Sequence, residues 1–357
     1  MINVTKTFLP PQEDYQAILK RAWDIGWMTN RGQLVKELEA TIKSYLAVPN
    51  LTLTTNGTLP IQIAIKALGL SDEIITTPFS YVATTSSIVW ESCTPVFVDI
   101  NENYLTIDET KIEAAITDKT SAILATHVFG NPCAVEEIEH IAEKHNLKVI
   151  YDAAHCFGVT YKGKSIFEYG DVSTCSFHAT KIFHTGEGGC WVTNNNELQK
   201  RLFYHHNFGH NGPENFYGLG INAKMSELQA AMGLAVFPHI DEIFENRKKV
   251  VNHYQKLLSN NNLKQLKIRA GTEWNYHYFP VIFETEKQLL KVMQALNDKQ
   301  IFPRRYFYPS LNTLNYVNQC RLPISENISK KILCLPNYFD LHKRDIELIV
   351  SIIKKVL

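Results

Sequence analysis

The sequence has no surplus of charge of either sign. Its 357 residues contain 36 lysines and arginines and 36 aspartates and glutamates, so its formal net charge is zero. Proteins that bind DNA or RNA neutralise the phosphates with a basic surface, which a balanced composition does not provide. We therefore expect no nucleic acid among the partners of this protein.

Long apolar runs are also missing. No stretch approaches the roughly 18 apolar residues of a membrane-spanning helix, and Met1–Phe8 has neither the charged region nor the apolar core of a signal peptide. The seven cysteines are scattered and form no C-x-x-C pair, which indicates thiols in a reducing compartment and argues against a disulfide framework or a zinc site. We expect a cytoplasmic protein with no membrane segment and no metal.

Short apolar runs and helical patterns alternate between about residue 50 and residue 195. The predicted strands are Glu73–Thr77, Pro95–Asp99, Ser121–His127, Lys148–Tyr151, Val172–Phe177 and Gly189–Thr193. The predicted helices among them are Val82–Trp90 and Ala134–His145. Such alternation is typical of a mostly parallel sheet that helices cover on both faces.

The rest of the chain predicts a smaller α+β domain. The predicted elements from residue 223 onward are the helices Ala223–Leu234, Pro238–Asn260, Glu286–Asn297 and Arg344–Val356 and the strands Trp274–Phe283 and Leu333–Leu335. The run Asn260–Asn262 is a candidate hinge. We divide the chain into a large domain over residues 1–245, which includes the N-terminal segment, and a small domain over residues 246–357.

One lysine, Lys181, stands in the glycine-rich loop Ser176–Gly189, directly after a predicted strand. Loops at the carboxyl ends of strands line the ligand crevice of open α/β sheets. A lysine that is desolvated there loses affinity for its proton and becomes a nucleophile. A loop lysine taken alone is more often simply solvated. His178 and His184 in the same loop are assigned to packing or to supporting contacts around the site, with a substrate contact as the lesser alternative.

A second candidate functional residue is an aspartate that comes directly after a predicted buried strand. Asp152 follows the apolar run Val149–Tyr151, where a carboxylate is costly unless it meets a cation or several hydrogen-bond donors. A protonated pyridine nitrogen is one such cation. Because two alanines follow Asp152, a helix N-cap is an equally good interpretation.

The turn Asn56-Gly57-Thr58 precedes the helical pattern Ile61–Leu68. Free N–H groups at a helix N-terminus form a cradle for phosphate, and the hydroxyl of Ser176 could contact the same phosphate. An ordinary capped helix start is the alternative.

In this order, these pieces resemble the DegT/DnrJ/EryC1/StrS family of sugar aminotransferases, which are fold-type I enzymes that depend on pyridoxal 5'-phosphate (PLP). The resemblance extends over nearly the whole chain and rests on the segments Asn56–Thr58, Thr77–Thr84, Pro95–Asp99, His127–Pro132, Asp152–His155, Ser176–Gly189 and Gly220–Ala231. It implies an α/β, fold-type I transferase with a large domain on a mostly parallel sheet and a smaller C-terminal α+β domain.

The resemblance implies three catalytic residues. Lys181 would hold PLP as a Schiff base and shuttle the proton, and Asp152 would pair with the pyridinium nitrogen. His155, where many relatives have glutamine, would hydrogen-bond the phenolic oxygen in a tautomer that the sequence does not define. Related deoxygenases carry histidine in place of the lysine, so Lys181 favours transamination.

The resemblance also implies the remaining cofactor contacts. Tyr81 would stack on the PLP ring, and Gly57, Thr58 and Ser176 would hold its phosphate. Asn222 would reach the phosphate from the neighbouring subunit, which requires a homodimer with active sites at its interface.

Two further segments, Trp27–Gly32 and Arg304–Pro309, resemble relatives that act on dTDP-4-keto-6-deoxyhexoses. We therefore expect amino transfer from L-glutamate to C4 of such a nucleotide-linked sugar, for O-antigen or another glycoconjugate. Amination at C3 of a dTDP-3-keto-6-deoxyhexose is the alternative. Arg304, Arg305 and Tyr308 are candidate substrate contacts, although an exposed arginine pair is equally typical of plain surface.

Two other classes of protein are compatible with the same motifs. One is another fold-type I PLP enzyme, such as a lyase that acts on an amino acid. The other is a PLP-binding regulator without turnover. The zero net charge and the lack of a DNA-binding segment argue against the regulator.

Overall fold

The structure, a computed structural model, describes residues 1–259 and 263–357. Its strands are β1 (Ile2–Asn3), β2 (Leu51–Thr54), β3 (Glu73–Thr76), β4 (Thr94–Phe97), β5 (Thr120–Thr126), β6 (Lys148–Asp152), β7 (Thr160–Tyr161), β8 (Lys164–Ser165), β9 (Val172–Ser176), β10 (Gly189–Val192), β11 (Lys264–Gln265), β12 (Thr272–Glu273), β13 (Phe279–Ile282), β14 (Ile301–Phe302) and β15 (Ile332–Leu335). Its α-helices are α1 (Gln12–Ile25), α2 (Gln33–Tyr45), α3 (Leu59–Ala67), α4 (Val82–Trp90), α5 (Glu109–Ile112), α6 (Val135–His145), α7 (Asn196–His205), α8 (Glu227–Val236), α9 (Ile240–Leu258), α10 (Glu286–Asn297), α11 (Pro323–Lys331) and α12 (Lys343–Val356).

The central sheet is mostly parallel, as predicted. Its strand order is β2-β10-β9-β6-β5-β3-β4, and only β10 runs antiparallel to its neighbours. The sequence predicts six of its seven strands, with bounds that agree with the structure to within two residues, whereas it does not predict β2. The α/β fold class is therefore confirmed.

Both faces of this sheet are buried, which explains why its strands are continuous apolar runs. Successive side chains of a strand point to opposite faces. In β5, Ile123 and Ala125 join the core under α2, α6 and α8, whereas Ala122 and Leu124 join the core under α3, α4 and α7. Each fully buried isoleucine or leucine stabilises the fold by roughly 1.5–3 kcal/mol. A one-residue shift of a strand would move each of its side chains to the opposite face, so the register of the strands is strongly constrained.

The C-terminal part of the chain contains the antiparallel sheet β11-β13-β15, which packs with α9, α10 and α12 around a second core. The division that we predict after residue 245 falls inside α9, which continues through it. At the other end of the chain, β1 pairs in parallel with β14. No helix in the described ranges has both the length and the apolar character needed to cross a membrane.

Three predicted elements differ from the structure, and one of them is the helix predicted over Ala223–Leu234, which begins only at Glu227 as α8. The segment Trp274–Phe283 is not one strand: β13 begins only at Phe279, and Tyr276 has a φ of 55°, because the residues before β13 bind loops of the large domain instead of a neighbouring strand. The helix predicted from Pro238 is α9, which begins at Ile240 after a short 3-10 turn. The proposed hinge Asn260–Asn262 lies outside the described residues.

The carboxyl ends of the parallel strands meet at one edge of the central sheet. The register pairs Thr126 with Asp152, and Asp152 with Thr174. On the other side of β9, Gly189 pairs with both Ser176 and Thr54. The loops that follow β2, β3, β5, β6 and β9 therefore open into the same crevice.

Candidate active site

A cavity of about 260 Å³ lies at this edge, between the central sheet and the C-terminal part of the chain. Eight of the residues that the sequence singled out line it: Gly57, Thr58, Tyr81, Asp152, His155, Ser176, Lys181 and Arg304. Asn222, Arg305 and Tyr308 do not line it. The cavity also includes residues to which the sequence assigned no role, among them Tyr278, Tyr306 and Phe307.

Lys181 is held by the loop that joins β9 to β10. Its backbone N–H donates to the carbonyl of His178 over 2.8 Å, and the N–H of Ala179 donates to the carbonyl of Gly186 over 2.7 Å. The loop closes tightly because Gly189 has no side chain: a Cβ there would lie 2.5 Å from the backbone oxygen of Asn56. Burial lowers the pKa of the Lys181 amine, and the charge of nearby Asp152 opposes that shift. The result is an amine that releases its proton more readily than an exposed lysine does.

Asp152 is the last residue of β6 and is 5% exposed. Its Oδ2 accepts a hydrogen bond of 2.6 Å from the hydroxyl of Thr84, and its Oδ1 accepts one of 3.1 Å from the N–H of Ala154. No helix begins here, so the N-cap interpretation is wrong: the chain continues through turns to β7. Within the described ranges the carboxylate has no ion-pair partner. Because a buried, unpaired carboxylate is costly, this position suits a cationic group supplied by a ligand.

His155 is buried beside this carboxylate-bearing strand, and its protonation state follows from its surroundings. The Nδ1 atom accepts a hydrogen bond of 3.2 Å from the backbone N–H of Phe129. Burial lowers the pKa of His155 well below its ordinary value, and the positive charges of Lys181 and His277 lower it further. The ring is therefore neutral with its proton on Nε2, which leaves an N–H donor for a ligand.

The hydrogen bond to His155 depends on an unusual turn after β5. Phe129 has a φ of 57°, in the left-handed region that non-glycine residues rarely occupy. This conformation lies within the His127–Pro132 segment and directs the Phe129 N–H at the imidazole. The sequence showed the segment as a motif, but a backbone donor cannot be recognised from residue types.

The start of α3 provides part of the predicted phosphate cradle. A Cβ at Gly57 would lie 2.5 Å from the Cβ of Ser176, so only glycine permits this approach. The N–H groups of Thr58 and Leu59, however, donate to Oδ1 of Asn56 over 2.9 and 3.0 Å. The expectation that these groups are free is therefore wrong, because the Asn56 side chain caps them. The Gly57 N–H and the hydroxyls of Thr58 and Ser176 are the donors that remain for an anion.

Two exposed side chains flank the mouth of the cavity. Tyr81, at the N-cap position of α4, is 57% exposed. Arg304 is also exposed and lines the cavity, with its guanidinium 5.4 Å from the centre of the Tyr306 ring. It has no carboxylate partner in the part of the chain that the structure describes, so it is available to an anionic ligand.

Arg305 and Tyr308 turn away from the cavity and contact each other. The guanidinium of Arg305 lies 3.7 Å from the centre of the Tyr308 ring and donates to Oε1 of Glu286 over 2.6 Å. His178, which the sequence assigned to packing, does line the cavity, and its Nε2 lies 3.6 Å from Oε1 of Glu187. His184 is buried as expected, with Nε2 at 2.6 Å from the carbonyl of Phe8.

Asn222 lies in an exposed segment away from the cavity of its own chain. Several large apolar side chains around it are also exposed, namely Phe208, Phe216, Tyr217, Leu219 and Ile221. Asn222 is not among the residues that line the cavity of its own chain.

Known proteins resemble this chain over its full length. The DegT/DnrJ/EryC1/StrS aminotransferase family matches residues 11–354. The dTDP-4-amino-4,6-dideoxy-D-glucose transaminase of Shigella dysenteriae is 40% identical, with 99% of each chain covered, and the enzyme of that name from Escherichia coli is 36% identical, with 100% of this chain and 98% of the relative covered. A solved structure of DesI in the presence of its TDP-sugar product is 30% identical, with a TM-score of 0.94 over 99% of this chain and 92% of DesI. The chain is an enzyme that belongs to the DegT/DnrJ/EryC1/StrS aminotransferase family.

Proposed function

We propose that this enzyme uses PLP to transfer the amino group of L-glutamate to C4 of a dTDP-linked 4-keto-6-deoxyhexose. The observation that carries the proposal is the meeting of Lys181, with its lowered pKa, and the unpaired carboxylate of Asp152 in one cavity. The printed names of the two transaminases, and the TDP-sugar in the DesI structure, support the choice of substrate. We place the reaction in the cytoplasm, in the synthesis of a sugar for O-antigen or another glycoconjugate.

The residues present fit PLP. When bound, PLP supplies an electron-withdrawing ring that stabilises negative charge on the carbon that loses a proton. Asp152 would keep the ring nitrogen protonated, and the Nε2–H of His155 would donate to the phenolic oxygen. Tyr81 would pack against the ring. Gly57, Thr58 and Ser176 would contact the phosphate.

Lys181 has two tasks in this proposal. It binds the cofactor covalently, and as a free amine it removes the α-proton of glutamate and later delivers a proton to the sugar. A base works best when its pKa lies near the working pH, and burial shifts the pKa of Lys181 in that direction. Because one cavity serves both substrates, the first product must leave before the sugar enters. Initial rates should therefore follow ping-pong kinetics. Double-reciprocal plots of rate against glutamate concentration, each at a fixed concentration of the keto sugar, should be parallel lines.

We also propose that the enzyme is a homodimer whose active sites lie at the interface. The exposed apolar side chains of Phe208 to Ile221 form the kind of surface that a partner covers. A two-fold dimer joins the same patch of both chains. Asn222, which lies outside its own cavity, would then contact the cofactor phosphate of the partner chain.

The test is incubation of the PLP-loaded enzyme with L-glutamate and a panel of nucleotide-linked 3-keto and 4-keto sugars, with product structures read by NMR. We expect a 4-amino-4,6-dideoxyhexose. A 3-amino product would mean that the enzyme aminates C3 of the sugar and not C4. Catalytic deamination or decarboxylation of glutamate without any sugar would indicate a lyase, and binding without turnover would indicate a regulator.

A further inference from the structure

Two residues that do not line the active-site cavity bind the backbone around His155. Trp274 and Asn275 lie in the segment between β12 and β13. The indole Nε1–H of Trp274 donates to the carbonyl of Phe129 over 2.8 Å. The side-chain amide of Asn275 donates to the carbonyls of His155 and Phe157 over 2.8 and 3.0 Å. The two side chains thus connect this segment to the turn after β5 and to the segment that carries His155.

The turn after β5 needs such support, because Phe129 has a left-handed φ of 57°. That conformation costs a non-glycine residue a free energy comparable with the gain from one hydrogen bond. The direction of a carbonyl follows from the backbone angles of its residue. A donor that binds the Phe129 carbonyl therefore favours the conformation in which the Phe129 N–H points at Nδ1 of His155. Without the Trp274 indole, the balance should shift against this turn.

The two side chains pack tightly against the turn. Gly130 also has a positive φ, of 79°, and a Cβ there would lie 2.9 Å from Oδ1 of Asn275 and 3.1 Å from Nε1 of Trp274. Only glycine fits at this position. The Oδ1 atom of Asn275 accepts a hydrogen bond of 3.2 Å from the N–H of His277, which leaves Nδ2 to donate to the carbonyl of His155. Asn275 is 3% exposed, so its hydrogen bonds are shielded from water.

We propose that Trp274 and Asn275 are positioning residues, which hold His155 with Nδ1 as a hydrogen-bond acceptor and with Nε2–H available to a ligand. Trp274 acts on the imidazole through Phe129, and Asn275 acts on the backbone of His155 directly. The benefit to catalysis rests on the proposed function, in which the Nε2–H of His155 contacts the cofactor. The effect on the turn does not depend on that function, because it follows from contacts within the protein alone.

Amide hydrogen exchange of the cofactor-free enzyme tests the effect on the turn. Trp274→Phe keeps an aromatic ring and removes the indole N–H. We expect exchange in the peptide His127–Asn131 to become about five-fold faster, the factor that corresponds to one net hydrogen bond. Trp191→Phe is the matched control. It removes an indole N–H that donates to Oε1 of Gln199 over 2.9 Å, at a residue that does not line the cavity. In this control, exchange in the same peptide should stay within about two-fold of the original.

Two results of the exchange experiment would overturn the proposal. Unchanged exchange in the peptide of Trp274→Phe would mean that the indole does not hold the turn. Exchange that rises equally over the whole chain would mean that the indole stabilises the fold in general, without a particular effect on the turn.

Single-turnover rates of the PLP-loaded enzyme test the effect on the reaction. One rate is that at which glutamate changes the cofactor spectrum, and the other is that at which the keto sugar reverses this change. Both should fall about five-fold in Trp274→Phe and in Asn275→Ala, because His155 contacts the cofactor, which both half reactions use. A loss confined to one half reaction would mean that the two residues act on a substrate, and the positioning role would be wrong.

The kinetic controls remove comparable hydrogen bonds elsewhere in the protein. Trp191→Phe serves for the indole. Asn312→Ala serves for the amide, because the buried Asn312 donates through Nδ2 to the carbonyl of Cys320 and to Oε1 of Glu326 and does not line the cavity. Neither control should change either rate by more than about two-fold. Equal losses in the controls and in the positioning variants would mean that general destabilisation causes the effect.

A variant without the imidazole shows whether Trp274 acts through it. In a His155→Ala background, Trp274→Phe should slow each half reaction by less than about two-fold more, since no ring remains to be positioned. The full five-fold loss in that background would mean that the indole acts independently of His155. If glutamate leaves the spectrum of the original enzyme unchanged, the aminotransferase proposal fails, and hydrogen exchange still tests the effect on the turn. If both half reactions keep their original rates in the variants, only the positioning proposal fails.

Discussion

Thr84 donates a hydrogen bond of 2.6 Å from its Oγ1 to Oδ2 of Asp152, across 68 positions of sequence. The Thr84 hydroxyl also contacts Oγ of Ser80 at 2.8 Å, and Thr126 donates to Ser80 over 3.1 Å. Three buried hydroxyls thus form a chain that ends on the carboxylate. Linked hydrogen bonds of this kind strengthen one another in a low-dielectric interior. The three linked hydroxyls therefore fix the orientation of the Asp152 carboxylate even when no cation is bound.

Replacement of Thr84 by valine should weaken the enzyme without unfolding it. Thr84→Val keeps the shape of the side chain but removes one of the two hydrogen bonds of Asp152. A hydrogen bond to a charged group contributes roughly 1.5–3 kcal/mol, so kcat/KM should fall by about ten-fold or more. Steady-state kinetics, with thermal unfolding measured alongside, gives the result.

The neighbouring Thr85 offers a control for that experiment. It is fully buried in the same helix, but its hydroxyl has no partner among the described residues. Thr85→Val should therefore change kcat/KM by less than about two-fold. Equal losses in Thr84→Val and Thr85→Val would show that packing, and not the bond to Asp152, causes the effect.

Removal of the Lys181 amine should abolish both covalent cofactor binding and turnover. Lys181→Ala should lack the visible absorption of the bound cofactor, and its rate should fall at least about a thousand-fold, because the base for proton transfer is lost. Absorption spectra and coupled assays measure both. Lys164→Ala, at an exposed lysine of β8, is the control and should retain colour and rate. A colourless but active Lys181→Ala enzyme, or a coloured and active one, would contradict the role of this lysine.

Much of the large domain could be predicted because its strands are buried on both faces. Continuous apolar runs such as Ser121–His127 have no other stable position in a soluble α/β fold. Asp152 could also be recognised, because a charged residue directly after such a run is conspicuous. Lys181 lies four residues beyond the predicted strand Val172–Phe177 and could be recognised only through its glycine-rich loop and its spacing from Asp152. These features depend on residue type and on spacing along the chain alone.

The remainder of the site depends on contacts that residue types do not reveal. The Phe129 N–H that fixes the tautomer of His155 is a backbone group in a left-handed turn. Tyr278 and Phe307 reach the cavity from the C-terminal part of the chain, more than 100 positions after Asp152 in the sequence. The N–H of Thr58 could donate either to Oδ1 of Asn56 or to a phosphate, and the local sequence does not decide between these two partners.

The buried imidazole of His155 should make stability depend on pH. Its pKa is lowered well below the ordinary value of 6.5, so at acidic pH the unfolded chain binds a proton there that the folded chain does not. Stability therefore falls as pH falls below the ordinary value, by up to about 1.4 kcal/mol per pH unit. His155→Gln lacks this contribution. Between about pH 7.5 and pH 5.5 it should lose about 1 kcal/mol less stability than the original protein.

Urea unfolding of the cofactor-free protein at both pH values measures this difference. His140→Gln, at an exposed histidine of α6, provides the comparison and should follow the original protein. Parallel losses in His155→Gln and the original protein would mean that His155 is not held neutral. The assignment of Nδ1 as an unprotonated acceptor for the Phe129 N–H would then be wrong.

Mixed dimers should show whether Asn222 acts across the interface. Asn222→Ala should weaken the phosphate contact of the partner chain, and Lys181→Ala should inactivate its own chain. A dimer that joins one chain of each kind would contain one intact site, with Lys181 from the first chain and Asn222 from the second. Random reassortment of equal amounts makes half of the dimers mixed, so about a quarter of all sites should regain full activity.

The competing arrangement makes the opposite prediction. If Asn222 contacted the phosphate in its own chain, or had no role, no site in the mixed dimer would regain activity. The activity of the mixture would then equal the average of the two parent variants. A mixture of Lys181→Ala with Lys181→Arg controls for reassortment itself, since every site in it lacks the lysine. Recovery in the first mixture and none in the control can arise only if each site draws residues from two chains, because no single chain in the first mixture carries both Lys181 and Asn222.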